Sequence, residues 1–200
     1  MSGYRIYGDA VSGNCLKVKW TADLLGVDHE WIETSVLKGE TRTAAFLALN
    51  PAGQVPLLMT PQARALAQSN AIILHLAEAH GGGLLPEESF ARAKVYEWLF
   101  WEQYSHEPYI AVRRFQKTYL NKSDAEIDPK LMDKGLAALS RMQRQLADAV
   151  WIAGEAFTLA DISLVAYTRA AHEGGFDLNA FPAVREWVAR VEKRLDIGAL

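Results

Sequence analysis

Strand signals stop near residue 80, and that switch constrains the fold of this 200-residue chain more than any other feature. Before it, Tyr4-Arg5-Ile6-Tyr7 alternates as a short strand, and residues 9–13 read as loop. Leu16, Val18, Trp20, Leu24 and Leu25 then recur at helical spacing over 14–25, until Gly26 ends the run. Residues 29–34 read as a second strand and 43–49 as a short helix closed by Asn50-Pro51. A strand at 55–59, a turn at 61–63 and a short strand at 64–67 form a hairpin. Residues 69–79 form a helix with Ile72, Ile73, Leu76 and Ala77 on one face. The order β-α-β-α-β-β-α is the thioredoxin-like arrangement, a four-stranded mixed sheet with three helices. If its first two strands are parallel, their crossover is right-handed. Gly81-Gly82-Gly83 and Pro86 mark a linker over 81–88. Beyond it, 90–120, 129–150, 158–172 and 181–195 all read as helices. The expected fold class is therefore α/β plus all-α: a thioredoxin-like domain over 1–80 and an all-helical domain over 89–200. The first helix of the second domain is long enough to kink or split, and Pro108 lies within it.

Composition removes several function classes. Half of the residues are hydrophobic and 22% are charged, which suits a globular chain. Lys plus Arg is 21 against 24 Asp plus Glu, a formal charge of -3, so there is no basic excess for a phosphate backbone. No apolar run is long enough to suggest a membrane span. Arg5 sits where a secretion signal would be apolar, so a reducing, cytoplasmic location is expected. The single Cys15 cannot form an internal disulfide, a Cys-x-x-Cys pair or a thiolate zinc cluster. No metal-protease, phosphate-loop or EF-hand motif is present, so no metal is expected.

Three junctions in the first domain can carry chemistry. Ser12-Gly13-Asn14-Cys15 opens the first helix, where unpaired N–H groups and the helix dipole favour an anion such as a thiolate. A plain N-cap by Ser12 or Asn14 is the alternative. In Asn50-Pro-Ala-Gly-Gln54-Val55-Pro56, a proline opens a strand. A cis Val55-Pro56 bond would leave the Val55 backbone to pair with an extended peptide; an edge-strand proline is the alternative. Gln68-Ser69 begins the third helix, where Ser69 reads either as an N-cap or as the seat of a ligand carboxylate, with Gln68 near an amino or amide group. The topology places all three on one edge of the sheet. A thiol peptide with a free carboxylate suits them together. In the second domain, Phe157-Thr158-Leu-Ala-Asp161-Ile162 predicts a capping box, with Phe157 and Ile162 placed as a hydrophobic staple.

Asn50-Pro-Ala-Gly-Gln-Val-Pro56, Gln68-Ser-Asn-Ala-Ile-Ile-Leu-His-Leu-Ala-Glu78 and the box at Thr158 resemble the cytosolic glutathione S-transferases, bacterial and of a serine-type or related class. The resemblance covers nearly the whole chain. It implies glutathione as cosubstrate, a homodimer, and conjugation of the glutathione thiol to small hydrophobic electrophiles. By position, Val55 beside Pro56 would pair with the cysteinyl backbone, with Gln54 alongside. Gln68 and Ser69 would hold the γ-glutamyl end. Ser12 falls where serine-type members place the hydroxyl that meets the thiolate, with Asn14 as another donor and Cys15 as a competing nucleophile. Many members carry Glu or Asp at the position of Gln68, so that contact loses its charge. Lys38 and Arg42 are candidates for the glycyl carboxylate, with solvated surface charge as the alternative. The family also implies an electrophile pocket between the domains, lined from the first long helix by Tyr104, His106, Tyr109 and Arg113. Two other functions compete with conjugation. One is glutathione-dependent reduction of disulfides or peroxides, which the Ser12-x-Asn14 pattern makes worth carrying. The other is a non-catalytic binding or regulatory module.

Overall fold

β1 (Tyr4–Gly8) is interior to the sheet, between β2 (His29–Glu33) and β3 (Leu57–Met59), with β4 (Ala65–Ala67) at the far edge, in a computed structural model that describes residues 3–199. β1 and β2 run parallel, with Tyr4 opposite His29 and Gly8 opposite Glu33. β3 is antiparallel to both β1 and β4. This is the expected thioredoxin-like sheet, and its register positions the site. Tyr7 pairs with Leu57, and Leu57 pairs with Ala67. The loop after β1, the approach to β3 and the exit from β4 therefore meet at one end of the sheet. The helices between these strands are α1 (Gly13–Leu24), α2 (Ala44–Leu49) and α3 (Ser69–His80). α1 packs on α3, and Ile6, Val18, Leu58, Ile72, Ile73 and Leu76 form the fully buried centre. Tyr7 stays in the sheet and meets Phe46 edge-on.

The chain divides into two units, Met1–Leu85 and Pro86–Leu200. The second is helical: α4 (Ser89–Trp101), α5 (Glu107–Thr118), α6 (Pro129–Ala147), α7 (Leu159–Thr168) and α8 (Pro182–Leu195). The helix expected over 90–120 is broken by a π turn at Glu102–His106. Pro108 explains the break. Its missing N–H and its ring cannot be fitted to an α-helical bond with residue 104, and a widened turn absorbs the mismatch. α7 is shorter than expected, because the chain tightens into a 3-10 turn at Ala171–Gly174 after it. α6 accepts Gly135 in mid-helix because Phe176 lies against it; a Cβ there would come within 2.4 Å of the ring. None of the helices in the described residues is long and apolar enough to cross a membrane.

The capping box forms as expected. Thr158 caps α7, and the Asp161 carboxylate accepts from the Thr158 N–H at 2.9 Å. The carboxylate does more than close the box. It also accepts from the Ile152 N–H at 2.9 Å and from Trp187 Nε1 at 2.8 Å. One fully buried side chain thereby ties α7, the segment before it and α8 together. Phe157 rests edge-on against Trp151.

Candidate active site

Ser12 occupies the N-cap position of α1 with extended backbone, but its hydroxyl makes no capping bond. Instead it hydrogen-bonds the sulfur of Cys15, one turn into the helix. The backbone supports the turn: the Ser12 N–H donates to the Asp9 carbonyl, and the Ser12 carbonyl accepts from Cys15 and Leu16. Burial pushes the Cys15 thiol up to about 11, although Ser12 and the Asp9 backbone pull the other way. Cys15 has no exposed surface, and burial favours the protonated thiol over the thiolate that a nucleophile needs. We expect folded protein to react with iodoacetamide about 100-fold more slowly than urea-unfolded chain at mildly alkaline pH. The raised value also fixes a sign. Between its ordinary 9.0 and about 11, the unfolded thiol ionises before the folded one, so Cys15 lowers stability as pH rises across that window.

Asp9 is a residue that the sequence reading missed. It is buried, and its two carboxylate oxygens accept from the Val11 N–H at 3.1 Å and the Val36 N–H at 2.9 Å. It joins the loop that carries Ser12 to the loop that carries Lys38. The pattern held no signal for this, because the partner is a backbone group 27 residues away. Lys38 itself is exposed. Arg42 is turned elsewhere: its guanidinium lies 3.5 Å from the Ala52 carbonyl and fills the space beside Gly53.

The segment before β3 is held from within. Asn50 is buried, donates to the Gln54 carbonyl at 2.8 Å and accepts from the Ala52 N–H at 3.2 Å. Gly53 has φ +61, and a Cβ there would meet the Arg42 guanidinium at 2.6 Å and the Thr41 carbonyl at 3.1 Å. The Val55-Pro56 peptide bond is cis, as the reading of the strand-opening proline allows. No hydrogen bond among the described residues engages the Val55 backbone. Gln54 is exposed and Pro56 buried.

Gln68, not Ser69, is the N-cap of α3, and it holds φ +73, a costly conformation for a side chain larger than glycine. That conformation starts the helix directly at Ser69. Ser69 is buried, and its hydroxyl donates to Asn14 Oδ1 at 3.1 Å. A second link lies alongside, from the buried Lys17 ammonium to Asn70 Oδ1 at 3.4 Å. The N-termini of α1 and α3 are thus laced together, and two positive dipole ends converge. The structure brings together Ser12, Asn14 and Ser69, with the Val55 segment and Gln68 at the same end of the sheet.

The residues proposed for the electrophile divide. Tyr104 is exposed, at 83%, and Tyr109 is half-buried. His106 and Arg113 are drawn into the helical unit instead. His106 Nε2 lies 2.9 Å from Thr168 Oγ1, whose own proton goes to the Leu164 carbonyl at 2.7 Å, so the histidine donates through Nε2. Arg113 binds the Gly174 carbonyl at 2.8 Å and the Asp124 carboxylate. An inward helix face and the π turn direct both side chains to these partners. Among the described residues, no cluster of His, Cys, Asp and Glu could hold a metal ion.

Comparison with known proteins bears on the family and the fold. Residues 11–79 match the glutathione S-transferase N-terminal domain and residues 96–194 the glutathione S-transferase C-terminal domain. A crystal structure of a glutathione S-transferase from Xanthobacter autotrophicus Py2 is similar, with a TM-score of 0.88 and 48% identity over 94% of this chain and 92% of that one. A family member from Pseudomonas fluorescens Pf-5 with two glutathione molecules bound shares the fold, with a TM-score of 0.84 and 24% identity over 98% of this chain and 94% of the other. The disulfide-bond oxidoreductase YfcG of Escherichia coli K12 is 26% identical over 182 residues, 86% of this chain and 82% of the relative. With two domain matches that together span most of its length, this chain belongs to the glutathione S-transferase family.

Proposed function

We propose that the protein is a cytoplasmic, homodimeric glutathione transferase that delivers the glutathione thiolate to small electrophiles. The observation that carries this reading is the register Tyr7–Leu57–Ala67, which gathers an anion-favouring helix start, an unengaged Val55 backbone and a second helix start at one end of the sheet. The thiolate is held at the N-terminus of α1 by the Ser12 hydroxyl, with Asn14 as a further donor. The cysteinyl backbone runs antiparallel to Val55, beside Gln54 and Pro56. The γ-glutamyl carboxylate takes the Ser69 hydroxyl and the N–H groups that open α3, while Gln68 meets the ammonium through its neutral amide. Lys38 is the candidate for the glycyl carboxylate. Tyr104 and Tyr109 meet the electrophile.

A second reading, glutathione-dependent disulfide reduction, is favoured by Asn14 standing beside Ser12 and by the oxidoreductase relative. With Cys15 buried, both thiols in such a reaction come from glutathione. One experiment separates the readings: initial rates with glutathione and, in turn, an aryl halide, an epoxide, a peroxide and a glutathione-containing disulfide. Conjugation predicts turnover of the aryl halide or the epoxide. Turnover of the disulfide alone would replace transferase by reductase.

A further inference from the structure

The loop that carries Lys38 is exposed, yet it is anchored to a buried acid. Within the loop, the Lys38 N–H donates to Ser35 Oγ at 3.3 Å, the Gly39 N–H to the Val36 carbonyl at 3.1 Å, and the Ser35 N–H to the Glu40 carboxylate at 2.6 Å. These bonds make residues 35–40 one braced turn, so whatever fixes Val36 also fixes Lys38. Asp9 fixes Val36, whose N–H donates to Asp9 Oδ2 at 2.9 Å. The same carboxylate accepts from the Val11 N–H at 3.1 Å, and the Asp9 carbonyl accepts from the Ser12 N–H at 3.0 Å. Asp9 therefore grips the loop of Lys38 and the loop of Ser12 at once. Resting on the reading of this end of the sheet as a glutathione site, we propose that Asp9 is a positioning residue: it holds Lys38 in register with Ser12, so that the glycyl carboxylate and the thiol are bound as one unit.

Three features single out Asp9 for this part. It is 4% exposed, whereas Val36, Leu37 and Lys38 are all exposed, so the carboxylate gives a footing to a loop that burial does not hold. Its two oxygens are divided between the loops, Oδ1 to Val11 and Oδ2 to Val36. An amide cannot replace it, because one end of the carboxamide would turn N–H donors toward a backbone N–H. The neighbouring Glu33 does not duplicate the link. It accepts from the Ala10 N–H at 3.2 Å and from Trp31 Nε1 at 2.8 Å, which ties the Ser12 loop to β2. The coupling through Asp9 is reciprocal. A ligand that steadies the Ser12 loop steadies the Lys38 loop, and a carboxylate gripped by Lys38 steadies Ser12. Discrimination between glutathione and a thiol peptide without the glycyl residue thus depends on a side chain that touches neither.

The test is a double-variant cycle read by glutathione dissociation constants, with γ-glutamylcysteine, which lacks the glycyl residue, as the control ligand. In the wild-type background Lys38→Ala should weaken glutathione about fivefold. In the Asp9→Asn background the same substitution should weaken it by less than about 1.5-fold, because the loop is already out of register. Asp9→Asn should also weaken glutathione more than γ-glutamylcysteine, whereas a general loss of folding would weaken both alike. Equal effects of Lys38→Ala in the two backgrounds, or equal effects of Asp9→Asn on the two ligands, overturn the proposal. A second measurement uses the wild type alone and stands whether or not Asp9→Asn folds. γ-Glutamylcysteine has no carboxylate for Lys38, but by holding the Ser12 loop it should slow hydrogen exchange of the Val36 N–H about fivefold. An unchanged Val36 rate under saturating γ-glutamylcysteine contradicts the coupling. Saturable glutathione binding with additive variants defeats only this inference, whereas no glutathione binding defeats the functional reading as well.

Discussion

Asp161→Ala is expected to lower the unfolding free energy by about 3–5 kcal/mol, the largest stability effect of any single substitution considered for this chain. The carboxylate is fully buried and accepts from three separate donors, the Thr158 N–H, the Ile152 N–H and Trp187 Nε1. Alanine leaves all three without their acceptor and opens a cavity at the start of α7. A helix cap alone is worth about 1 kcal/mol, so a loss of that size would mean that only the box matters. Urea unfolding at neutral pH distinguishes the two. Trp187 fluorescence adds a local reading, because its indole N–H loses its partner. The carboxyl is itself held above the usual carboxylate range by burial, against the pull of its three donors and the Thr158 hydroxyl. The sign follows: ionisation of Asp161 is harder in the folded than in the unfolded chain. Raising pH from the unfolded value through the folded one therefore weakens the net contribution of the side chain, and Asp161→Ala should cost most at low pH, below that window.

Ser12→Ala should lower kcat/KM for conjugation by about 100-fold, the magnitude seen when one donor to a developing or resident anion is lost. The bound glutathione thiol should titrate higher by one to two pH units, since each tenfold loss of thiolate corresponds to about 1.4 kcal/mol. KM for glutathione should change little, because the proposed site assigns other parts of the peptide to Val55 and Ser69. Unchanged turnover together with an unchanged thiol titration would transfer the role to Asn14. Ser12→Thr keeps the hydroxyl and should restore most of the activity, which separates a chemical role from a local folding defect.

The elements of the first unit were legible because each is short, patterned and punctuated. Gly26 ends α1, Asn50-Pro51 ends α2, and the apolar spacing of Ile72, Ile73 and Leu76 marks α3. Val55-Pro56 and Thr158-Asp161 were legible for a different reason: a strand-opening proline and a capping box each have few structural solutions. What stayed hidden was long-range. Asp9 acts on a backbone N–H 27 residues away, and Ser69 gives its proton to Asn14 across 55 residues, so neither has a local signature. Gln68 at φ +73 was hidden because the strain comes from the helix it starts and not from its own residue type. His106 and Arg113 illustrate a different limit. Polar residues on a helix beside aromatic ones suggested a ligand face, but the π turn and their inward register direct them to Thr168, Gly174 and Asp124.

The central claim is that the end of the sheet beyond Tyr7, Leu57 and Ala67 holds glutathione with its sulfur ionised. A pH titration of protein-bound glutathione, read by thiolate absorbance under saturating protein, tests it most directly. The account predicts saturable binding and a bound thiol that titrates at least one pH unit below the ordinary value of about 8.5. No saturable signal, or a bound thiol that titrates at the ordinary value, would contradict it.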